Sequence, residues 1–171
     1  MDFYEVIERR SSTRDFTRED VPPETVGRLL ASACKAPTAG NLQPWRFYVV
    51  RDGGVRGRLS EAAYGQPYVA AAPVVLVVCA DLDVSAHGYG SRGENLYCIQ
   101  DTAAAVENIL LSAVAEGLGA CWVGAFDEVA ARGVLGLPAG IRPLAMVPVG
   151  HPGRQGRKAG REPYEKFTKY M

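Results

Sequence analysis

Apolar positions recur along this chain with two different periods, and the switches between them outline the elements. Phe3, Val6 and Ile7 share one helical face behind Asp2, which predicts a capped helix running to about residue 10. After Val21-Pro22-Pro23-Glu24, the positions Val26, Leu29, Leu30 and Ala33 repeat at helical spacing. They predict a second helix with proline in its first turn, ending before Pro37. The Phe-Tyr-Val-Val content of residues 46–50 predicts a strand, residues 54–64 a helix, and the unbroken apolar run 74–79 a buried strand. Residues 94–116 make the longest predicted helix. Its stripe is Leu96, Ile99, Ala103, Val106, Leu110 and Ala113, and Ala104, Ala105 and Ile109 widen it, as expected of a central helix or one at a subunit interface. Gly117-Leu118-Gly119 stops it, and a strand is predicted to start over 121–123. Asp127 caps a short helix ending at Leu135-Gly136, and 144–149 form the last strong strand. Residues 151–171 are basic, rich in Gly and Pro and without an apolar period, so they are expected to wrap over a surface or a partner.

Helices and strands do not alternate regularly enough for a doubly wound parallel sheet, so the fold class is α+β. With no internal repeat and no linker, residues 1–171 read as one domain.

Composition narrows the function classes. Hydrophobic residues make up 47% of the chain, and 19 Lys and Arg balance 19 Asp and Glu, which gives no global reason to expect nucleic acid as a partner. The longest apolar run, around residues 69–80, is broken by Pro73 and is too short to span a membrane, and the first residues carry no basic-then-apolar signal. Cys34, Cys79, Cys98 and Cys121 are far apart and form no CxxC pair. The expectation is a reduced, cytoplasmic protein.

Charge and polarity are nonetheless concentrated. Arg9-Arg10-Ser11-Ser12-Thr13-Arg14 sets three guanidiniums and three hydroxyls at the end of the first helix, a donor set suited to a phosphate. Cations favouring a helix C-terminus would account for Arg9 and Arg10 alone. A second segment, Ala36-Pro37-Thr38-Ala39-Gly40-Asn41-Leu42-Gln43-Pro44-Trp45, combines turn residues with two amides and a tryptophan. Turn chemistry explains its Gly, Asn and Pro, but not Gln43 or Trp45. In the third, residues 117–126, Gly124 and Ala125 leave backbone N–H groups unobstructed. Other motifs carry less. Gly88-Tyr89-Gly90-Ser91-Arg92-Gly93 spells GxGxxG, but seven residues separate it from the preceding strand and no acid follows at the required distance, so a flexible surface loop is expected. His87 and His151 lack partners at ligand spacing, so no metal is expected. Cys121 has no histidine nearby in sequence to activate it and reads as a buried structural cysteine.

Together these segments resemble the nitroreductase family of FMN-dependent oxidoreductases, in the family's order and over nearly the whole chain. Arg10-Ser11-Ser12-Thr13-Arg14-Asp15-Phe16 is similar to its N-terminal Arg-x-Ser-x-Arg/Lys-x-Phe signature. The segment 36–45 is similar to its Ala-Pro-Ser-x-x-Asn-x-Gln-Pro-Trp motif, and 117–126 resembles the stretch beside the flavin. The resemblance implies a mostly antiparallel central sheet flanked by helices, in an intertwined homodimer with FMN at the interface. It implies FMN binding by Arg10, Ser11, Ser12, Arg14, Pro37, Thr38, Ala39, Asn41, Gln43, Gln66, Val123, Gly124, Ala125 and Arg161. Arg10 and Ser12 would take the phosphate and ribityl chain, and Arg14 the N1/O2 edge, where reduction places negative charge. Gly124 and Ala125 would offer N–H groups to N5 and O4. Gln66 would read the pyrimidine edge, Arg161 would return to the phosphate, and residues 37–41 would come from the other subunit. Thr38 stands where the family more often has Ser, with the hydroxyl kept. Ala159 stands where some members have Lys, with Arg157 or Lys158 as substitutes. The chain is short and reads as lacking a helical insertion over the site, which implies an open pocket.

The implied reaction is ping-pong hydride transfer from NADH or NADPH through flavin N5 to a nitro, quinone or related small acceptor, with no side-chain nucleophile. Specialised family reactions (reductive dehalogenation, flavin fragmentation), a non-enzymatic FMN-binding redox sensor and a flavin-free anion-binding module are the other readings.

Overall fold

The computed structural model describes residues 1–154 and 160–171. Its scaffold is a four-stranded sheet of β1 (Trp45–Val50), β2 (Val74–Asp81), β3 (Gly119–Ala120) and β4 (Ile141–Gly150), in the order β1-β2-β4-β3 with every pair antiparallel. The helices are α1 (Phe3–Arg9), α2 (Pro23–Ala33), α3 (Gly53–Ala62), α4 (Pro67–Ala71), α5 (Leu82–Arg92), α6 (Cys98–Ala115) and α7 (Glu128–Leu135). The α+β class and the mostly antiparallel sheet are as expected.

β2 explains why the sheet can be central although it is antiparallel. Successive side chains leave a strand on opposite faces. Val74, Leu76 and Val78 enter one core with Val26 and Leu29 of α2 and Val106 and Ile109 of α6. Val75, Val77 and Cys79 enter a second core with Leu59 of α3, Val69 of α4, Ala131 of α7 and Met146. Both faces are therefore covered, and the run that looked continuously apolar is buried from residue 74 to residue 80. Burial pushes the Cys79 thiol up to about 12, since its thiolate would have no solvation there.

The caps explain the helix starts. Asp2, Asp52, Asp81 and Asp127 each accept a backbone N–H at the head of α1, α3, α5 and α7, and Gly136 closes α7 in the left-handed region.

Three expectations need correction. The segment 88–93 is not a loop: it belongs to α5 and the π-helical turn (Gly93–Tyr97) that follows, with Gly90 at φ +54 making the kink. Asp81 caps α5 directly, so the glycines continue a helix rather than ending a strand. The strand expected over 121–123 starts earlier, because Gly119 and Ala120 find partners in Gly150 and Val149. Val123 keeps only an isolated bridge to Met146. The long predicted helix is divided, its first turn being π-helical and its α-helical part starting at Cys98. Its buried face follows Cys98, Asp101, Thr102, Ala105, Val106, Ile109, Leu110 and Ala113, whereas Ile99 of the expected stripe is exposed.

The start of the tail runs back along the N-terminal segment. Thr17 donates to the His151 carbonyl and Gly153 to that of Asp15, each at 2.9 Å, and Arg154 pairs with Asp15 at 3.0 Å. Residues 160–171 are exposed, with one 3-10 turn (Tyr164–Phe167). Among the described residues no helix is long and apolar enough to cross a membrane.

Candidate functional site

The first and third motifs meet because the chain leaving α1 lies along β3. Arg10 caps α1, donating its backbone N–H to Val6. Ser12 then bridges Ala120 in parallel, and Thr13 donates to the Ala120 carbonyl at 2.9 Å. The buried Thr13 side chain lies against the backbone of Gly119, where an added Cβ would fall 2.6 Å from its Cγ2. Only glycine allows that approach. Gly119→Ala is expected to cost about 1–3 kcal/mol through overpacking, read as a lower thermal midpoint; an unchanged midpoint would mean that Thr13 is not wedged there.

Arg14 emerges next. Its guanidinium carbon sits 5.7 Å from the centre of the Tyr68 ring. Tyr68 foremost, and then Cys121, holds the guanidinium above its ordinary arginine value, so the cation is secure. Tyr68 donates in turn to Gln66 Oε1, and Gln66 Nε2 donates to the carbonyls of Ala63 and Ala125, each at 2.9 Å. The result is a line of contacts that starts with Arg14 over the Tyr68 ring and is hydrogen-bonded from Tyr68 through Gln66 to Ala125. Val123 anchors its far end by exchanging hydrogen bonds with Met146 at 2.9 and 3.0 Å. Gly124 and Ala125 are exposed, and among the described residues nothing accepts a hydrogen bond from either N–H. Arg9 is occupied by Glu5 at 2.7 Å, while Arg10 and Ser11 are half-buried and Ser12 is exposed.

The second motif forms a separate group. Thr38 accepts from the Gln43 N–H at 3.2 Å, Gln43 Nε2 donates to Asn41 Oδ1 at 3.2 Å, and Ala39 N–H donates to Asp101 of α6 at 3.1 Å. Gly40, Asn41 and Gln43 all have positive φ, near +50 to +56. Pro37 is exposed at the edge of a cavity of about 330 Å³ between this loop and α6. No hydrogen bond among the described residues joins this group to the Arg14 group. Among the described residues Arg161 joins neither: its guanidinium is exposed and donates to the Gly160 carbonyl at 3.4 Å. Arg157, Lys158 and Ala159 lie outside the described residues. A larger cavity, about 390 Å³, is lined by Arg18, Arg51 and Arg56 and shares no residue with either group. Asp20 occupies Arg51 and the carbonyls of Ala70 and Ala72 occupy Arg56.

Sequence reasoning missed Tyr68 and Asp101. Proline at position 67 opens α4 and is the signal that would have placed Tyr68 two residues from Gln66 on a short helix. A carboxylate between Cys98 and Ala105 on an otherwise apolar stripe is the signal for Asp101.

The nitroreductase family model matches residues 7–71 and 61–151. The chain belongs to the nitroreductase family. It is similar to an NADH dehydrogenase from Thermus thermophilus, 36% identical over 94% of this chain and 91% of that protein. It is also similar to an FMN reductase (NADPH) from Bacillus subtilis, 30% identical over 93% of this chain and 69% of that protein. Among solved structures, the NfrA1 nitroreductase of B. subtilis superimposes with a TM-score of 0.88 at 28% identity, over 98% of this chain and 73% of that one. Family membership makes the chain an oxidoreductase by kinship, and the two groups of polar residues are where that chemistry must be sought.

Proposed function

We propose that the chain is an FMN-dependent NAD(P)H oxidoreductase that reduces small oxidised acceptors such as nitro compounds or quinones, working as a homodimer. The observation that carries this reading is the line from Arg14 through Tyr68 and Gln66 to Ala125, flanked by the N–H groups of Gly124 and Ala125, which have no acceptor among the described residues. The donor set fits the group. A secure cation and two backbone N–H donors in one line match a flat ring with acceptors along its edge, and Arg10 with Ser11 and Ser12 offers donors for a phosphate. FMN, when bound, supplies the hydride-accepting and hydride-donating chemistry. The chain's residues bind and orient. With FMN bound, Arg14 would offset the negative charge that reduction adds to the ring, and Gly124 and Ala125 would hold the ring through their N–H donors. Gln66 spends its amide on the Ala63 and Ala125 carbonyls and so sets the position of that backbone. NADH or NADPH and the acceptor would bind there in turn.

The spacing of the two groups supports a dimer in which residues 37–43 serve the partner's cofactor. Ala39 is tied to Asp101 near the start of α6, whereas Gly119–Ala120 follows its end. The stretch from residue 101 to residue 115 is about 21 Å long at 1.5 Å per residue.

An absorption spectrum of the purified protein with FMN, then with NADH or NADPH under anaerobic conditions, tests the reading. Bound flavin that bleaches is the expected result. Flavin that binds without bleaching would refute the NAD(P)H reductase and favour a redox sensor, and no binding would refute the site.

A further inference from the structure

Asp101 is a buried titratable group that the reaction above does not use. It is 7% exposed and lies on the apolar face of α6, between Cys98 and Ala105. A carboxylate withdrawn from water is retained only where a donor compensates it. Here that donor is the Ala39 N–H at 3.1 Å, and it opposes the burial that raises the Asp101 carboxyl above its usual range.

The other end of that hydrogen bond is a strained loop. Asn41 and Gln43 occupy the left-handed region, which L side chains enter at a cost that glycine at position 40 does not incur, so the surroundings must hold the loop in shape. Inside the loop, Thr38 Oγ1 and the Asn41 side chain bind Gln43. From outside, the Tyr89 hydroxyl occupies the space beside Gly40 where an added Cβ would fall 2.6 Å from it. Asp101 supplies the hydrogen bond that ties the loop's backbone to another element. It does so from a long helix that leads directly into β3, so loop and β3 share one rigid support.

We propose that Asp101 is the positioning residue that holds the 37–43 loop in its cofactor-receiving shape; this rests on the FMN reading given above. The carboxylate is not expected to touch the flavin. It fixes the Ala39 backbone, and through it the positions of Thr38, Asn41 and Gln43.

The test compares Asp101→Ala with Asp101→Asn, which keeps an oxygen acceptor of the same shape. FMN affinity is read by fluorescence quenching, and Ala39 amide hydrogen exchange is read without FMN. Losing a charge-assisted bond to a backbone N–H is expected to weaken FMN binding by about tenfold or more in Asp101→Ala. Asp101→Asn is expected to stay within about threefold of the parent. The Ala39 amide should be protected in the parent and in Asp101→Asn, and should exchange freely in Asp101→Ala. FMN bound equally well by Asp101→Ala, or an unprotected Ala39 amide in the parent, would overturn the proposal. Should Asp101→Ala fail to fold, the exchange in the parent and the Asn variant decides. A parent that takes up no FMN would refute the proposed function instead, while the exchange experiment still reads whether Asp101 anchors the loop.

Discussion

Arg14→Ala is expected to weaken FMN binding about ten- to a hundredfold, the range for losing a hydrogen bond from a charged donor, and to make the midpoint potential of the bound flavin more negative. The sign follows from charge: reduction adds negative charge at the ring edge that Arg14 is proposed to face, and removing the cation makes that charge harder to place. Two effects should combine in the variant. The direct contact is lost, and Tyr68 loses the guanidinium that lies over its ring. Tyr68→Phe tests the rest of the line separately, because it keeps the arginine and the ring while cutting the hydroxyl's link to Gln66. A fluorescence-quenching titration and a redox-dye titration measure affinity and potential. An Arg14 variant with both quantities unchanged would remove this residue from the site.

The largest effect on stability is expected from Leu76→Ala. Leu76 is fully buried in β2 and packs in the core shared with α2 and α6. Truncating a leucine in such a place costs about 2–5 kcal/mol, the lost transfer free energy and the cavity together. For a chain of this length that lowers the thermal midpoint by about 5–20 °C. Val49 is the control: it lies on the neighbouring strand but is 42% exposed, and its replacement by alanine should stay within about 0.5 kcal/mol of the parent. Thermal unfolding followed by circular dichroism checks both. Equal midpoints for the two variants would contradict the double-sided core.

Most of the scaffold was legible because its signals are local. Aspartates stand at the starts of α1 and α7, Gly136 ends α7, and β2 is apolar from Val74 to Ala80. What was not legible depends on distant partners. Nothing near Gly119 announces that it pairs with Gly150, so the strand was expected two residues late. The glycines at 88, 90 and 93 suggested a loop by their flexibility. Yet the Asp81 cap and the close fit of Gly93 against the Ser85 backbone make that stretch helical. The candidate site divides in the same way. Arg14, Gln66 and the 123–125 segment stand out as sequence and are brought together. Tyr68, which joins them, and Asp101, which holds the other loop, are ordinary residues whose importance comes only from what they touch.

The pairing of Ser12 and Thr13 with Ala120 also dictates an order of assembly. The partner of the N-terminal motif is more than a hundred residues away, and it is itself held by β4, the last strand of the sheet. Contacts closing so long a loop form late, after local helices and hairpins have reduced the search. During synthesis the arginines leave the ribosome first but have nowhere to dock until residues 141–150 have followed them. A nascent chain arrested before that point carries the whole N-terminal motif without the surface that shapes it. The cofactor-holding role proposed for this motif would therefore arise in a single late step.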